Sequence, residues 1–187
     1  PLDGSALYRR QIPAFWLSAM GLWEGNTPLG SFVVNLITGQ IDFINQNKSY
    51  TGSLNNQDHF TYQPMQLSGT TQLNESYVET YLMKPHALYA GTHQYQKVLE
   101  QCKFVLPNGG PGGFTDVARG TVDLYLARGE GITECYSSLA IAQCAGAAIA
   151  SLTDKPLDFE DNIHKTYDLA VASTLELLKS TLSLLLP

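Results

Sequence analysis

The residues best suited to chemistry stand at the very start of the chain. Asp3 is followed by Gly4 and Ser5 at a predicted turn, which places a carboxylate beside backbone N–H groups. N–H groups at a helix start hold phosphate oxygens, and a carboxylate holds a hard cation such as Mg²⁺. Taken alone the motif is a weak signal, and an ordinary turn is the simpler explanation of these residues.

A second acidic residue opens a predicted helix in the other half of the chain. The sequence from Glu134 to Ser151 is rich in Ala, Ser and Cys and contains Gly146, and Thr133 is placed to cap its amino terminus. Small side chains let neighbouring backbones approach closely, so we expect this helix to be buried between layers. By its position alone, Glu134 is a first-turn Glu stabilised by the helix dipole.

The elements that must position these residues follow from hydrophobic periodicity and turn residues. Strands predicted over 14–23, 29–36 and 40–45 form an antiparallel meander, and the polar stretch 47–76 is predicted as loop with one short strand over 60–62. The remaining predictions are strands over 77–83, 103–106, 121–126 and 168–172, helices over 93–101, 134–151 and 174–186, and a flexible glycine-rich loop over 108–113. Ser173 and Glu176 match a capping box for the last helix.

This order of elements predicts an α/β (α+β) fold of layered sheets and helices. We expect residues 1–84 to form the antiparallel sheet part of a first subdomain. Residues 85–187 are expected to form a carboxyl-terminal α/β subdomain.

Composition narrows the classes of function. The chain has 187 residues, a net charge of −6 and only 11 basic residues, so a nucleic-acid surface is not expected. It shows no signal peptide and no apolar run long enough to cross a membrane, and its three cysteines fit reduced thiols. A cytoplasmic protein without a membrane partner is therefore predicted.

The order of several short motifs resembles the inositol monophosphatase family of magnesium-dependent phosphomonoesterases. Pro1-Leu2-Asp3-Gly4-Ser5 is similar to its Asp-Pro-Leu/Ile-Asp-Gly-Thr/Ser motif, and residues 120–125 are similar to its Gly-x-x-Asp-x-Tyr strand. Further similar segments follow in the family's order at 11–15, 30–36, 39–42, 144–147, 155–159 and 168–173. The resemblance thus spans nearly the whole chain.

The resemblance implies a fold of alternating sheets and helices, here lacking the family's amino-terminal helices. It also implies hydrolysis of an inositol or sugar phosphate with Mg²⁺, and assembly as a homodimer. Implied metal ligands are the Leu2 carbonyl, Asp3 and Glu134, and implied phosphate-binding residues are Gly4 and Ser5. The family's other acidic ligands would precede Pro1, so we expect a missing amino-terminal region and an inactive isolated chain.

The chain departs from the family pattern in its second motif. Glu134 stands where the family has a metal-binding Asp, and Ser137 and Ser138 replace part of the signature that follows it. Ala127 stands where the family has an acidic residue that contacts the substrate, and Glu130 lies nearby in the sequence. No residue of this chain is assigned a catalytic role. Two functions stay open: a phosphomonoesterase that is incomplete as given, or a degenerate relative that serves as a binding or assembly module.

Overall fold

The computed structural model describes residues 2–25, 27–54, 59–153, 162 and 164–185. Pro1 and the similar segment 155–159 lie outside these residues. The described strands form two sheets. The first is antiparallel with its strands in chain order, namely β1 (Leu2–Asp3), β2 (Leu17–Glu24), β3 (Thr27–Asn35), β4 (Gln40–Asn45), β5 (Lys48–Leu54) and β6 (Phe60–Pro64).

The second sheet is mixed and contains the later strands. Its spatial order is β10-β11-β9-β7-β8, with β7 (Tyr77–Thr80), β8 (Phe104–Leu106), β9 (Leu124–Gly131), β10 (Ala148–Ser151) and β11 (Thr166–Ala172). β7 is parallel to β8 and β9, whereas β11 is antiparallel to β9 and β10. Since β7 joins this sheet, the predicted boundary between residues 84 and 85 does not coincide with the boundary between the sheets; the division into subdomains stays a prediction.

The described helices are α1 (Ser5–Arg9), α2 (Pro85–Leu99), α3 (Pro111–Ala118), α4 over residues 132–145 and α5 (Leu175–Leu185). α4 consists of Ile132–Glu134, a π-helical turn at Cys135–Leu139, and Ala140–Ala145. A short 3₁₀ turn lies at Leu73–Glu75. None of the described helices combines the length and the apolar character needed to cross a bilayer.

Two apolar clusters show how these elements are layered. One joins Leu17 and Val33 of the first sheet, Phe114 of α3, Leu139 of α4 and Leu169 of the second sheet. The other joins the opposite face of the second sheet to α2 and α5, through residues such as Val78, Tyr95, Leu124 and Leu177. The order of layers is therefore first sheet, α3 with α4, second sheet, α2 with α5, which confirms the predicted layered α/β fold.

The prediction of a loop over 47–76 was wrong for its first part, because residues 48–54 form β5. Ser49 donates a hydrogen bond of 2.5 Å to the Ile141 carbonyl of α4, and the Tyr50 ring stacks on Phe43 with centroids 5.6 Å apart. Contacts with neighbouring elements thus stabilise a strand whose polar composition is typical of a loop.

Three predictions near helix ends were also wrong. The glycine-rich segment 108–113 is not simply a loop, because α3 begins at Pro111, where proline costs no hydrogen bond. α2 begins at Pro85 for the same reason, well before residue 93. The helix predicted over 134–151 ends at Ala145, where Gly146 adopts φ 89°, and residues 148–151 form β10 instead.

The predicted caps were displaced by one or two residues. α4 begins at Ile132 with Gly131 as its N-cap, rather than at Glu134 with Thr133. At α5, Thr174 Oγ1 accepts a hydrogen bond of 3.2 Å from the Leu177 N–H, whereas Ser173 Oγ donates to the Thr70 carbonyl. The Thr174 hydroxyl therefore takes the capping role that we had predicted for Ser173.

Candidate functional site

Asp3 is held at the end of a short strand. β1 pairs with β2, with Asp3 opposite Leu17 and Leu2 opposite Ser18. The chain then turns through Gly4 at φ 75° and enters α1 at Ser5. The Asp3 side chain is half-buried, whereas Ser5 is exposed. The turn predicted from the sequence is therefore present, and it directs the chain from the sheet edge into a helix.

We predict that Gly4→Ala destabilises the protein by about 2–4 kcal/mol. A Cβ atom on Gly4 would lie 2.2 Å from the Phe15 carbonyl oxygen, in addition to the unfavourable positive φ. Gly39, with φ 73° and nothing within 4 Å of an added Cβ, is the matched control, and Gly39→Ala should cost about 1 kcal/mol. Equal losses for the two variants in denaturant titrations would contradict the predicted clash.

Glu134 lies in the first turn of α4, which is fixed against the first sheet. Ser31 Oγ donates a hydrogen bond to the Ser137 carbonyl, and Trp23 Nε1 donates to the Tyr136 carbonyl. Both carbonyls belong to the π-helical turn, whose widened backbone leaves groups free to bond outside the helix. Glu134 Oε2 itself accepts a hydrogen bond of 3.3 Å from the Gly131 N–H, so the side chain folds back over the helix start.

The two acidic residues line the same cleft. This cleft has a volume of about 490 Å³, and its walls include Asp3, Gly4, Ser5 and Glu134. The opening turn and the start of α4 therefore lie on the same cleft. Leu2 contributes its backbone to β1 beside the cleft. Which of these groups bind a metal or a phosphate stays a prediction.

The negative charges of Asp3 and Glu134 act on each other across the cleft. Burial raises the pKa of Asp3, and the negative charge of Glu134 raises it further. A hydrogen bond from the Gly4 N–H and the charge of Lys84 lower the pKa of Asp3. Because each negative charge makes the other less favourable, a cation placed between them would be stabilised by both.

Glu130 is a third acidic residue in the cleft, and from the sequence we noted it only as a neighbour of Ala127. Its side chain is 7% exposed and accepts hydrogen bonds from Tyr125 Oη at 2.6 Å and from the Gly110 N–H at 3.2 Å. Burial, followed by a hydrogen bond and like charge from Glu134, raises the pKa of Glu130 well above its ordinary value. Ala127, by contrast, is completely buried in β9.

One signal in the sequence could have identified Glu130. Residues four apart on a helix lie on one face, but Glu130 is the penultimate residue of β9 and Glu134 lies in the first turn of α4. Only the tight connection at Gly131 brings these two side chains together. The pattern to search for is therefore a Glu just before the glycine of a strand–helix junction, with a second Glu in the first turn of the helix that follows.

The rim of the cleft carries positive charge. Lys84 and Arg128 line it, together with His86. The glycine-rich segment also reaches it, since a Cβ atom on Gly110 would lie 3.1 Å from Asp3 Oδ2. Carboxylates at the base and cations at the rim suit a ligand that is itself anionic and is accompanied by a metal ion.

The described residues offer few ligands for a metal ion. Within them, no three His, Cys, Asp or Glu side chains are close enough together to hold a metal ion. Mg²⁺ is commonly held by one or two carboxylates together with water and substrate phosphate. Asp3 and Glu134 supply two such carboxylates, so their oxygen donors suit Mg²⁺. The remaining ligands would have to come from water and from a bound phosphate.

Comparison with solved structures identifies the fold. SuhB of Mycobacterium tuberculosis is 16% identical, with a TM-score of 0.78 over 99% of this chain and 69% of that chain. Inositol monophosphatase II of Staphylococcus aureus is also 16% identical, with a TM-score of 0.76 over 98% of this chain and 64% of that one. The Anabaena inositol monophosphatase is 22% identical, with a TM-score of 0.70 over 98% and 69%.

The chain therefore has the inositol monophosphatase fold. It spans about two thirds of the length of these solved chains. No family model and no curated protein sequence matches it.

Proposed function

We propose that this chain forms part of a magnesium-dependent phosphomonoesterase of the inositol monophosphatase type, acting on an inositol or sugar phosphate. The observation that supports this most directly is the position of Asp3 and Glu134 on one cleft, within electrostatic reach of each other. The fold supports it as well. SaIMPase-II has been solved with inositol monophosphate and with 2'AMP, which are both small phosphate esters.

The roles of the individual residues follow from their chemistry. Asp3, Glu134 and the Leu2 carbonyl would hold Mg²⁺, which when bound supplies a Lewis acid and lowers the pKa of a coordinated water. Gly4 and Ser5 would bind phosphate oxygens through the start of α1. Lys84 and Arg128 at the rim would attract the phosphate and screen its charge.

Glu130 has a supporting role in this proposal. It accepts hydrogen bonds from Tyr125 and Gly110, and it lies against Glu134. These contacts fix the glycine-rich segment and the candidate ligand Glu134 relative to each other. The raised pKa of Glu130 means that this neighbour can remain uncharged, which limits the repulsion at Glu134.

Divalent-cation binding by the 187-residue chain tests this proposal. Mn²⁺ serves as a paramagnetic substitute for Mg²⁺, and its binding is measured by electron paramagnetic resonance and calorimetry. We expect Asp3→Asn to weaken Mn²⁺ binding by about tenfold or more, because one charged oxygen ligand is lost. Glu176→Gln, which removes an exposed carboxylate on α5 that does not line the cleft, should leave the affinity unchanged.

Two results would count against the proposal. Equal Mn²⁺ affinity for Asp3→Asn and the unmodified chain would exclude Asp3 as a ligand. Tight binding of inositol or sugar phosphate without any metal, together with no phosphate release on adding Mg²⁺ to a longer protein that includes this chain, would instead support a binding module.

A further inference from the structure

A second cavity, separate from the candidate cleft, lies at the edge of the first sheet. It has a volume of about 830 Å³, which is within the range of roughly 300–1,000 Å³ that is typical of small-molecule sites. Its walls come from β4, β5 and β6, and from Arg119 and Thr121, which follow α3. The described residues that line it all differ from those that line the candidate cleft. We call it the edge cavity.

The face of the first sheet that turns toward α3 and α4 changes from apolar to polar along its strands. Where it packs against these helices it carries apolar side chains, such as Leu17, Val33 and Ile44. At the edge cavity the alternation of side chains brings six polar residues to this same face, namely Gln40, Asp42, Thr51, Ser53, Thr61 and Gln63. An inward face normally continues the apolar core, so this polar set indicates a surface built to contact polar groups.

The cross-strand register arranges the six side chains in two rows. The first row is Gln40, Ser53 and Thr61, and the second is Asp42, Thr51 and Gln63. Neighbouring strands are about 4.8 Å apart, and successive residues on one face are about 7 Å apart, so the rows cover roughly 10 Å by 7 Å. A polar surface of this extent suits a ligand of the size of a mono- or disaccharide.

Hydrogen bonds fix the base of the edge cavity. Gln40 Nε2 donates to Thr51 Oγ1 at 2.9 Å and to Asp42 Oδ1 at 3.3 Å. Asp42 also accepts a hydrogen bond from the Arg119 guanidinium. Because these side chains already have a fixed arrangement, a ligand that binds over them loses little free energy in ordering them.

Three side chains of the two rows remain available to a ligand. Ser53, Thr61 and Gln63 are exposed, and within the described parts of the chain their side chains make no hydrogen bond to the protein. Hydroxyl and amide groups can both donate and accept hydrogen bonds. The hydroxyl groups of a sugar have the same double capacity, so they can pair with these side chains in several orientations.

The edge cavity carries no unbalanced positive charge. Of the described residues that line it, Arg119 alone is charged, and its guanidinium forms ion pairs with Asp42 and Asp116. An anion would therefore meet two carboxylates beside the guanidinium, and a cation would meet the guanidinium itself. Both signs of charge are disfavoured, which leaves an uncharged polar ligand.

We propose that the edge cavity binds an uncharged mono- or disaccharide through the side chains of Ser53, Thr61 and Gln63. This site is independent of the phosphatase reaction proposed above, because the two cavities share no described residue. Hydrogen bonds to the ligand replace hydrogen bonds to water, so each contributes little net affinity. We therefore expect a dissociation constant of about 0.1–10 mM.

Nuclear magnetic resonance of the ¹⁵N-labelled 187-residue chain provides the test. The chain is titrated with glucose, mannose, maltose and sucrose, each up to about 100 mM. At least one of these sugars should shift the backbone amide signals of residues 51–53 and 61–63 along a saturating curve. Glucose 6-phosphate is the charged comparison, and it should act on these signals no more strongly than glucose does.

A double substitution tests the assigned side chains. Thr61→Val with Gln63→Met keeps the size of both side chains but removes their hydrogen-bonding groups, so it should raise the dissociation constant at least tenfold. Because both residues are exposed, the melting temperature should stay unchanged. Gln96→Met, at an exposed position of α2, is the matched control and should leave the affinity as it is.

Three results would overturn the proposal. The first is that none of the four sugars shifts the signals of residues 51–53 and 61–63. The second is that the double variant binds the sugar as tightly as the unmodified chain does. The third is that glucose 6-phosphate binds at these residues more tightly than glucose, because the edge cavity would then be a site for anions.

Discussion

Replacing Arg119 with Met is expected to lower the free energy of unfolding by about 3–5 kcal/mol. Arg119 follows the last residue of α3, and its guanidinium forms ion pairs with Asp116 of the same helix and with Asp42 of β4. The Asp42 side chain is only 4% exposed. Without Arg119 this carboxylate would be buried without its counter-ion, and the ion pair between the end of α3 and the first sheet would be lost.

The pKa of Asp42 supports this expectation. Burial raises it, and the charge of Arg119 is the largest influence that lowers it. Arg128→Met is the control, since Arg128 is exposed and donates its hydrogen bond to Gln94, so this variant should change stability by less than about 0.5 kcal/mol. The double variant Arg119→Met, Asp42→Asn should recover part of the loss. If Arg119→Met alone costs under 1 kcal/mol in urea titrations, the ion pairs are not what joins these layers.

Replacing Glu79 with Gln should make the protein more stable at pH 8 by about 1–3 kcal/mol, with little effect at pH 4. Glu79 lies in β7, is 1% exposed, and its Oε1 has no hydrogen-bond partner. Burial, and then the charge and hydrogen bond of Asp116, raise the pKa of Glu79 well above its ordinary value of 4.5. The folded protein therefore retains a proton that the unfolded chain loses.

The sign of the pH dependence follows from this difference in bound protons. Above pH 4.5 the unfolded state releases the proton first, so the contribution of Glu79 to stability decreases as pH rises toward its folded pKa. Gln keeps the shape of Glu and can donate to Asp116 at every pH, so this contribution to the pH dependence should disappear. Glu75→Gln, on an exposed residue of the same segment, should change stability equally little at both pH values. A Glu79→Gln variant that is less stable than the parent at pH 8 would show that the charged form is favoured.

Local patterns in the sequence were sufficient for much of the fold. β4 occupies residues 40–45 as predicted, since alternating side chains and the Thr38-Gly39 turn leave little freedom for that segment. The layered order of sheets and helices also followed from the order of the elements. The failures were segments such as β5 and the start of α3, whose composition resembles loop but whose neighbours supply hydrogen bonds and apolar contacts.

The candidate site, like the fold, could be predicted from the sequence only in part. Residue types indicated a turn at Asp3, Gly4 and Ser5, because a turn is a local feature, whereas Glu134 was singled out as a ligand through the resemblance to the family's second motif. Only the tertiary structure showed that Asp3 and Glu134 share a cleft, and that Glu130 lies buried against Glu134. The sequence alone could not establish this, because a carboxylate's surroundings and pKa depend on contacts between residues more than a hundred positions apart, and those contacts exist only once the layers have packed.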